Sequence, residues 1–322
     1  MNAHPTIDPT SLLAPLTSYC KATADQQRLM ILRVLSRESF GVLELSQILN
    51  VAQPALSHHL KVLLTAELVE TRRQGTSIYY RRALVGVQDP IRDLRLAVFN
   101  AVDQITPDRK ILKGIETVHR LRHEHAREYF QKNSHRFQEN QDLIAEYPHY
   151  AKLIHDLLGN EPLSDDADVV ELGPGDCGLI LDLACQFNHV HAVDNAEIML
   201  DKTRVKVGRS DIDNVSFHLG ELSEIDTSCD LLVLNMVLHH LATPAGLFGE
   251  AQKHLRSGGR LLIIDLCAHD QDWTREACGD LWLGFDPGEL DNWAETAGLA
   301  PSQSAYLGLN NGFQIQVRTY SE

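Results

Sequence analysis

The chain has 322 residues and a formal net charge of −15, with 43% hydrophobic residues. The length suits two domains of ordinary size, each able to bury a core. Nowhere do about 18 apolar residues run together, which excludes a membrane-spanning helix, and the polar start from Met1 to Thr10 lacks the basic and apolar stretches of a secretory signal. Six cysteines, Cys20, Cys177, Cys185, Cys229, Cys267 and Cys278, lie scattered without a CxxC pair, the pattern of reduced thiols in a cytoplasmic protein rather than of a disulfide framework. Charge divides unevenly: residues 1–105 carry 11 Lys and Arg against 9 Asp and Glu, whereas the remainder carries 18 against 35. Such asymmetry is reason to read the two parts separately.

In the first part, apolar residues fall at helical spacing from Ser11 to about Leu35, and Asp25 stands where a second helix would be capped. A short helix is expected around Leu43–Leu49, a turn at Asn50–Ala52, and a further helix from Gln53, with Pro54 in its first turn, where a missing N–H costs least. Two β-prone runs, Leu68–Arg73 and Ser77–Arg81, flank a Gln74–Gly75 turn and read as a hairpin. Helix, turn, helix and hairpin make a winged helix-turn-helix. Its second helix would enter the major groove of double-stranded DNA with Gln53, Ser57 and His58 on the outer face, while Lys61, Arg72, Arg73 and Arg81 would meet phosphates. The competing interpretation is a small interaction domain with a basic hairpin.

The string Gln53-Pro54-Ala55-Leu56-Ser57-His58-His59-Leu60-Lys61-Val62-Leu63, then Ala66-Glu67-Leu68-Val69, Arg73-Gln74-Gly75 and Tyr79-Tyr80, resembles the ArsR/SmtB family over residues 15–85. The resemblance implies a homodimer whose matching helix reads an operator. It does not extend to the family's metal sites. Gly41-Val42-Leu43-Glu44-Leu45 stands where arsenic sensors carry thiolates, and Asp89–Val102 holds no histidine. No metal is therefore expected at either place.

Residues 107–160 read as a helical linker and cap between domains at 1–106 and 161–322. His119, His123, His125 and His135 lie within it. His119 and His123 share a helix face, with Glu116 one turn before, but two or three such ligands fall short of a zinc site's usual four. A solvated connecting helix is the other interpretation.

From Asp168 onward short apolar runs alternate with helical stretches. The fold class is thus α/β, with a Rossmann-like, doubly wound, mostly parallel sheet following the winged helix. Strands are expected at Val169–Leu172, His191–Val193, Val215–His218, Leu231–Leu234 and Leu261–Leu266, with two more at Ser304–Leu307 and Phe313–Val317. Glu171-Leu172-Gly173-Pro174-Gly175 ends the first strand in a glycine turn, and Asp194 ends the second, where a carboxylate can hold a ribose diol. These features alone suit NAD or S-adenosylmethionine (SAM) equally.

Gly220-Glu221-Leu222, the run Asp230–Leu241 and the run Leu255–Ile263 extend the pattern, which resembles class I SAM-dependent methyltransferases over residues 130–322. The resemblance implies that Glu171, Gly173 and Gly175 hold the amino-acid part of SAM or S-adenosylhomocysteine (SAH). It implies further that Asp194 grips the ribose, that Asn195, Met199, Glu221 and Leu222 surround the adenine, and that Asn235 and Met236 line the methionine end. Asp176-Cys177 departs from the family's pattern, in which a third glycine comes one position before Gly178. His239 is the best-placed candidate for a catalytic base, with a structural histidine as the alternative. His269, Trp273, Asp280, Trp282 and Phe285 are candidates for a pocket holding a small-molecule methyl acceptor, and Cys177 and Cys267 for a soft metalloid. Together these features predict a cytoplasmic, dimeric ArsR-type regulator with a domain that methylates a small molecule or senses SAM or SAH. The alternative is a methyltransferase whose winged helix serves dimerisation.

Overall fold

Asp25 does cap a helix: its carboxylate accepts the Arg28 N–H at 2.9 Å, ending α1 (Pro9–Thr23) and opening α2 (Gln26–Val34). The computed structural model describes residues 9–175 and 178–322, without the side chains of 9–11 and 134–138. The polar start at residues 1–8, Asp176 and Cys177, and the side chains of His135 and Phe137 lie outside the described residues. The chain forms two compact units that divide between Arg120 and Leu121.

In the first unit, α2 is followed by β1 (Phe40–Gly41), α3 (Val42–Leu49), α4 (Gln53–Thr65), β2 (Val69–Gln74), β3 (Ser77–Arg82) and α5 (Arg92–Asp103). The stretch Gly41–Leu45 opens α3, and Glu44 accepts the Gly41 N–H at 2.8 Å in a half capping box. Asn50 ends α3 in the left-handed region (φ 50°), a place where Asn is tolerated. Ile31, Leu32, Leu45, Leu56, Leu60 and Leu63 are completely buried, each worth about 1.5–3 kcal/mol of transfer free energy. They set α4 against α2 and α3. Strands β2 and β3 pair antiparallel from Val69↔Arg82 to Gln74↔Ser77, so the turn is Gly75–Thr76, one residue later than expected. Gly75 supplies the positive φ (63°) that such a two-residue loop demands. Strand β1 adds to the free edge of β3, which the sequence did not reveal.

Helix α6 (Arg109–Asp142) contains the division between the units. Its first turns belong to the winged unit, where Gly114 packs so close to α3 that a Cβ would lie 2.8 Å from Ile48 Cα. The second unit continues with α7 (Tyr147–Asn160), β4 (Asp168–Leu172), α8 (Leu179–Gln186), β5 (His189–Asp194), α9 (Glu197–Val207), β6 (Val215–Leu219), β7 (Cys229–Asn235), α10 (Pro244–His254), β8 (Leu255–Leu266), α11 (Trp273–Ala277), α12 (Pro287–Thr296), β9 (Ala300–Gly308) and β10 (Gln314–Ser321). Single 3₁₀ turns stand at Leu222–Glu224 and Leu238–His240.

The seven-stranded sheet has the order β6-β5-β4-β7-β8-β10-β9. The five strands from β6 to β8 are parallel, and β10 runs antiparallel to both its neighbours. Parallel strands covered on both faces carry apolar residues at nearly every position; Val169, Val190, Leu231, Val233, Leu262 and Ile264 are all fully buried. The chain reverses its direction of strand addition between β4 and β7. Ligands of such sheets bind in the crevice beyond the strand tips at that reversal.

Candidate functional site

The tips of β4, β5 and β7 bring the expected nucleoside-site residues together. Register pairs Leu172 with both Val193 and Leu234. Glu171, Asp194 and Asn235 therefore arrive at one end of the sheet. After Leu172 the chain turns through Gly173 (φ 66°) and Gly175 (φ 52°). A Cβ on Gly173 would lie 2.6 Å from Val237 Cγ2, and one on Gly175 would lie 3.4 Å from Met199 Cε. Both glycines are needed for conformation, and Gly173 for closeness as well. The Thr203 hydroxyl donates to the Gly175 carbonyl at 2.6 Å and ties the turn to α9.

Glu171 is completely buried, and neither carboxylate oxygen has a hydrogen-bond partner among the described residues. Burial pushes its carboxyl up to about 8, helped by the neighbouring Asp182 charge. A buried acid without a donor is costly unless a ligand supplies one. Asp194 accepts the Ala196 N–H at 2.8 Å through Oδ1, and burial pushes its carboxyl up to about 6. Its carbonyl accepts from Gly220 N–H at 2.9 Å, which sets the third strand tip beside it. Asn195 donates to Glu221 Oε1 at 3.0 Å, and Leu222 and Met199 are buried nearby in the fold. Met236 follows β7 with φ 56°, a strained conformation for a non-glycine residue of the kind that clusters at ligand sites.

The helical cap expected before the sheet supplies part of this surround, though the sequence did not show which of its residues meet which strand tips. His123 Nδ1 lies 3.7 Å from Glu221 Oε1, so this stretch of α6 reaches the site. Tyr147 hydrogen-bonds Asp182 at 2.5 Å and packs where a side chain on Gly178 would sit. The missing signal is topological, because helices preceding a sheet do not announce in sequence which strand tips they cover.

The shared helix face of His119 and His123 does not make a metal site. His119 bonds Glu38 at 2.7 Å in the first unit, stacked on Phe40, whereas His123 meets Glu221 in the second. His239 is fully buried, with Nδ1 2.8 Å from Asp265 Oδ1 and Nε2 turned toward Asp280. Such a position does not present a base to an acceptor. Trp282 and Phe285 are core, Trp273 is exposed, and Cys267 has a thiol pushed up to about 11 by burial; the pairing of Cys267 with Cys177 lies outside the described residues.

On the winged unit, Gln53, Ser57, His58 and Lys61 are exposed along one face of α4, and Arg73 is exposed on β2. Arg72 is half-buried. Arg81 differs from expectation: its guanidinium forks onto Glu70 at 3.0 and 3.2 Å across the hairpin. Its neighbour Arg82 likewise grips Asp103 at 2.8 Å and covers the Phe99 ring.

Comparison with known proteins agrees with this division. A family model described as bacterial regulatory protein, arsR family, matches residues 25–71, and one described as a methyltransferase domain matches residues 163–298. The chain is 35% identical over 81 residues to the arsenical resistance operon repressor of Staphylococcus aureus, covering 25% of this chain and 78% of that protein. It is 33% identical over 104 residues to the arsenite methyltransferase of Halobacterium salinarum, covering 30% of this chain but only 27% of that enzyme. The match to the SmtB homologue of Synechocystis likewise spans about half (52%) of that repressor. Among solved structures, the magnesium protoporphyrin IX methyltransferase of Synechocystis, with bound SAH, superposes at a TM-score of 0.50 and 12% identity, covering 61% of this chain and 97% of that one. The fold of the second unit is thus that of a methyltransferase. The chain belongs to the arsR family of bacterial regulatory proteins through its first unit and carries a methyltransferase domain in the second. No helix among the described residues is long and apolar enough to cross a membrane.

Proposed function

We propose that the chain is a DNA-binding transcriptional regulator whose methyltransferase domain binds SAM or SAH, acting as a homodimer in the cytoplasm. The observation that carries the cofactor reading is the buried Glu171 carboxyl beside the Gly173–Gly175 turn. It is a desolvated acceptor with no protein donor, placed where the cofactor's ammonium would arrive. Asp194 would take the ribose hydroxyls, Asn195, Met199, Glu221 and Leu222 the adenine, and Asn235 and Met236 the methionine end.

Two outputs fit this arrangement, methyl transfer to a small molecule and sensing of the SAM or SAH level. The burial of His239 between two carboxylates favours sensing, since an acceptor entering from the crevice meets no free base there. A ligand that binds two conformations unequally shifts DNA affinity by a coupling of typically about 1–3 kcal/mol. The exposed polar row Gln53, Ser57, His58 and Lys61, with Arg73 exposed on the wing, favours DNA binding over a winged helix that serves only dimerisation.

Fluorescence anisotropy with DNA from the gene's own upstream region, at several salt concentrations, tests the DNA reading. Binding is expected to weaken steeply with salt. Arg73→Ala should weaken binding to all sequences and lower the salt slope by about one, whereas Gln53→Ala should cost about 1–3 kcal/mol on the operator and relax specificity. Salt-independent binding, or two variants indistinguishable from the parent, would remove α4 and the wing from the DNA interface.

A further inference from the structure

His239 and His240 follow β7 on one 3₁₀ turn, and Asp280 reaches them from the loop after α11. All three are buried. One ligand-type atom of each lies within 4.8 Å of the others. Nε2 of His239 is 3.7 Å from Asp280 Oδ1, and Nδ1 of His240 is 3.8 Å from the same oxygen. Those separations are too long for hydrogen bonds. Neither oxygen of Asp280, nor Nε2 of His239, has a hydrogen-bond partner among the described residues. The Thr274 hydroxyl, beside Asp280, donates to the Gln271 carbonyl at 3.3 Å. A buried carboxylate, with the Thr274 hydroxyl beside it, and a buried ring nitrogen therefore face a common space.

We propose that this space is a site for a divalent first-row transition metal, held by His239 Nε2, His240 Nδ1 and Asp280. The proposal is independent of the SAM reading. A tetrahedral ion with bonds of about 2.0–2.2 Å sets its ligand atoms about 3.3–3.6 Å apart. The two separations from Asp280 Oδ1, 3.7 and 3.8 Å, need to contract by only a few tenths of an ångström. Metal-binding histidines almost always have their other ring nitrogen held by a second group, and both do here. Asp265 Oδ1 takes Nδ1 of His239 at 2.8 Å, fixing the tautomer that leaves Nε2 with a lone pair. The side-chain amide of Gln141, from α6, lies 3.2 Å from Nε2 of His240. Nδ1 of His240 lies 3.4 Å from the Gly279 carbonyl; with the Gln141 amide turned to offer its oxygen, Nε2 donates and Nδ1 exchanges that carbonyl for the ion. The loop that carries Asp280 is fixed to the histidine turn by backbone, since Leu281 N–H and Trp282 N–H both donate to the His239 carbonyl, at 3.1 and 3.0 Å. Two imidazoles and one carboxylate suit zinc, cobalt, nickel or iron rather than magnesium or calcium. Three protein ligands leave a coordination position open, unlike the closed four-ligand set of a structural zinc.

The test is a Co²⁺ titration of the full-length chain after dialysis against a chelator, read by visible d–d absorption and checked for metal content by elemental analysis. One Co²⁺ per chain is expected, displaced by Zn²⁺. Asp265→Asn should weaken it by roughly 10–100-fold, and Asp280→Asn or His240→Gln by more than about 100-fold. The double variant His119→Ala with His125→Ala should bind like the parent. Far-UV circular dichroism identifies any variant that fails to fold, and the parent's spectrum decides without it. No d–d absorption in the parent at stoichiometric Co²⁺ overturns the proposal, as does unchanged affinity in a folded Asp280→Asn or His240→Gln. Loss of binding in the His119/His125 variant would place the ion in the histidine-rich helix and overturn it equally.

Discussion

Asp194→Ala is expected to lower the affinity for SAH by about 100-fold, roughly 2.7 kcal/mol, with the winged unit still folded. The size follows from the loss of charge-assisted hydrogen bonds to a ribose diol, each worth about 1.5–3 kcal/mol. Oδ1 of Asp194 is steadied by the Ala196 N–H at 2.8 Å, so the carboxylate is held in place before any ligand arrives. Burial pushes this carboxyl up to about 6 and that of Glu171 up to about 8. Ligand hydroxyls and the ligand ammonium favour the ionised forms. The sign is therefore fixed: SAH affinity in the parent falls as pH drops through 6, when Asp194 takes up a proton. It rises as pH climbs toward 8, when Glu171 gives one up more readily. In Asp194→Ala the lower limb disappears and the upper one remains. Calorimetry of both proteins across this range checks the prediction, and an unchanged affinity in the variant would remove Asp194 from the site.

The second large effect is expected on stability. Gly284 has φ 66°, and a Cβ on it would lie 2.1 Å from the Cys267 carbonyl oxygen and 2.8 Å from that of Leu266. These are backbone atoms at the exit of β8, already fixed by bonds from Phe285 N–H to Leu266 at 2.9 Å and from the Gln316 amide to both Leu266 and Phe285. Neither side can yield. Gly284→Ala adds left-handed strain of about 1–2 kcal/mol to an overlap that must lift the whole loop, so a loss of about 3–5 kcal/mol is expected. In a unit of this size that lowers the Tm by roughly 10 °C. Gly258→Ala is the control: φ is 77°, but nothing lies within 4 Å of the added carbon. It should lose only the strain, about 1–2 kcal/mol. Equal Tm values for the two variants would show that the close approach at Gly284 relaxes freely.

What could be read from the sequence was what depends on neighbours in the chain. The Asp25 cap, the α4 helix with Pro54 in its first turn, the glycine turn after β4 and the carboxylate ending β5 are each local, and their residues carry the reason with them. What depended on distant partners was not legible. Arg81, in a basic doublet with Arg82, looks like a phosphate contact. The fold spends them on Glu70 and Asp103 instead, because arginines on a short hairpin must satisfy themselves against the body of a small domain. His119 and His123 share a face, yet each answers to a different acid. The partner of His239, Asp265, is 26 residues away at the end of an apolar strand. A lone acid closing the run Leu261-Leu262-Ile263-Ile264 was the available signal, since a fully buried strand does not carry a charge without a partner. Strand β1, two residues long, is too short for any periodicity to show.

On the proposed function, the strand tips of the second unit hold an adenosine joined to a sulfur amino acid. The most direct measurement titrates the full-length chain with SAH and, side by side, with NAD. One saturable SAH site per chain and no binding of NAD are expected. Binding of NAD in place of SAH, or no binding of SAH at neutral pH, would contradict the proposed function.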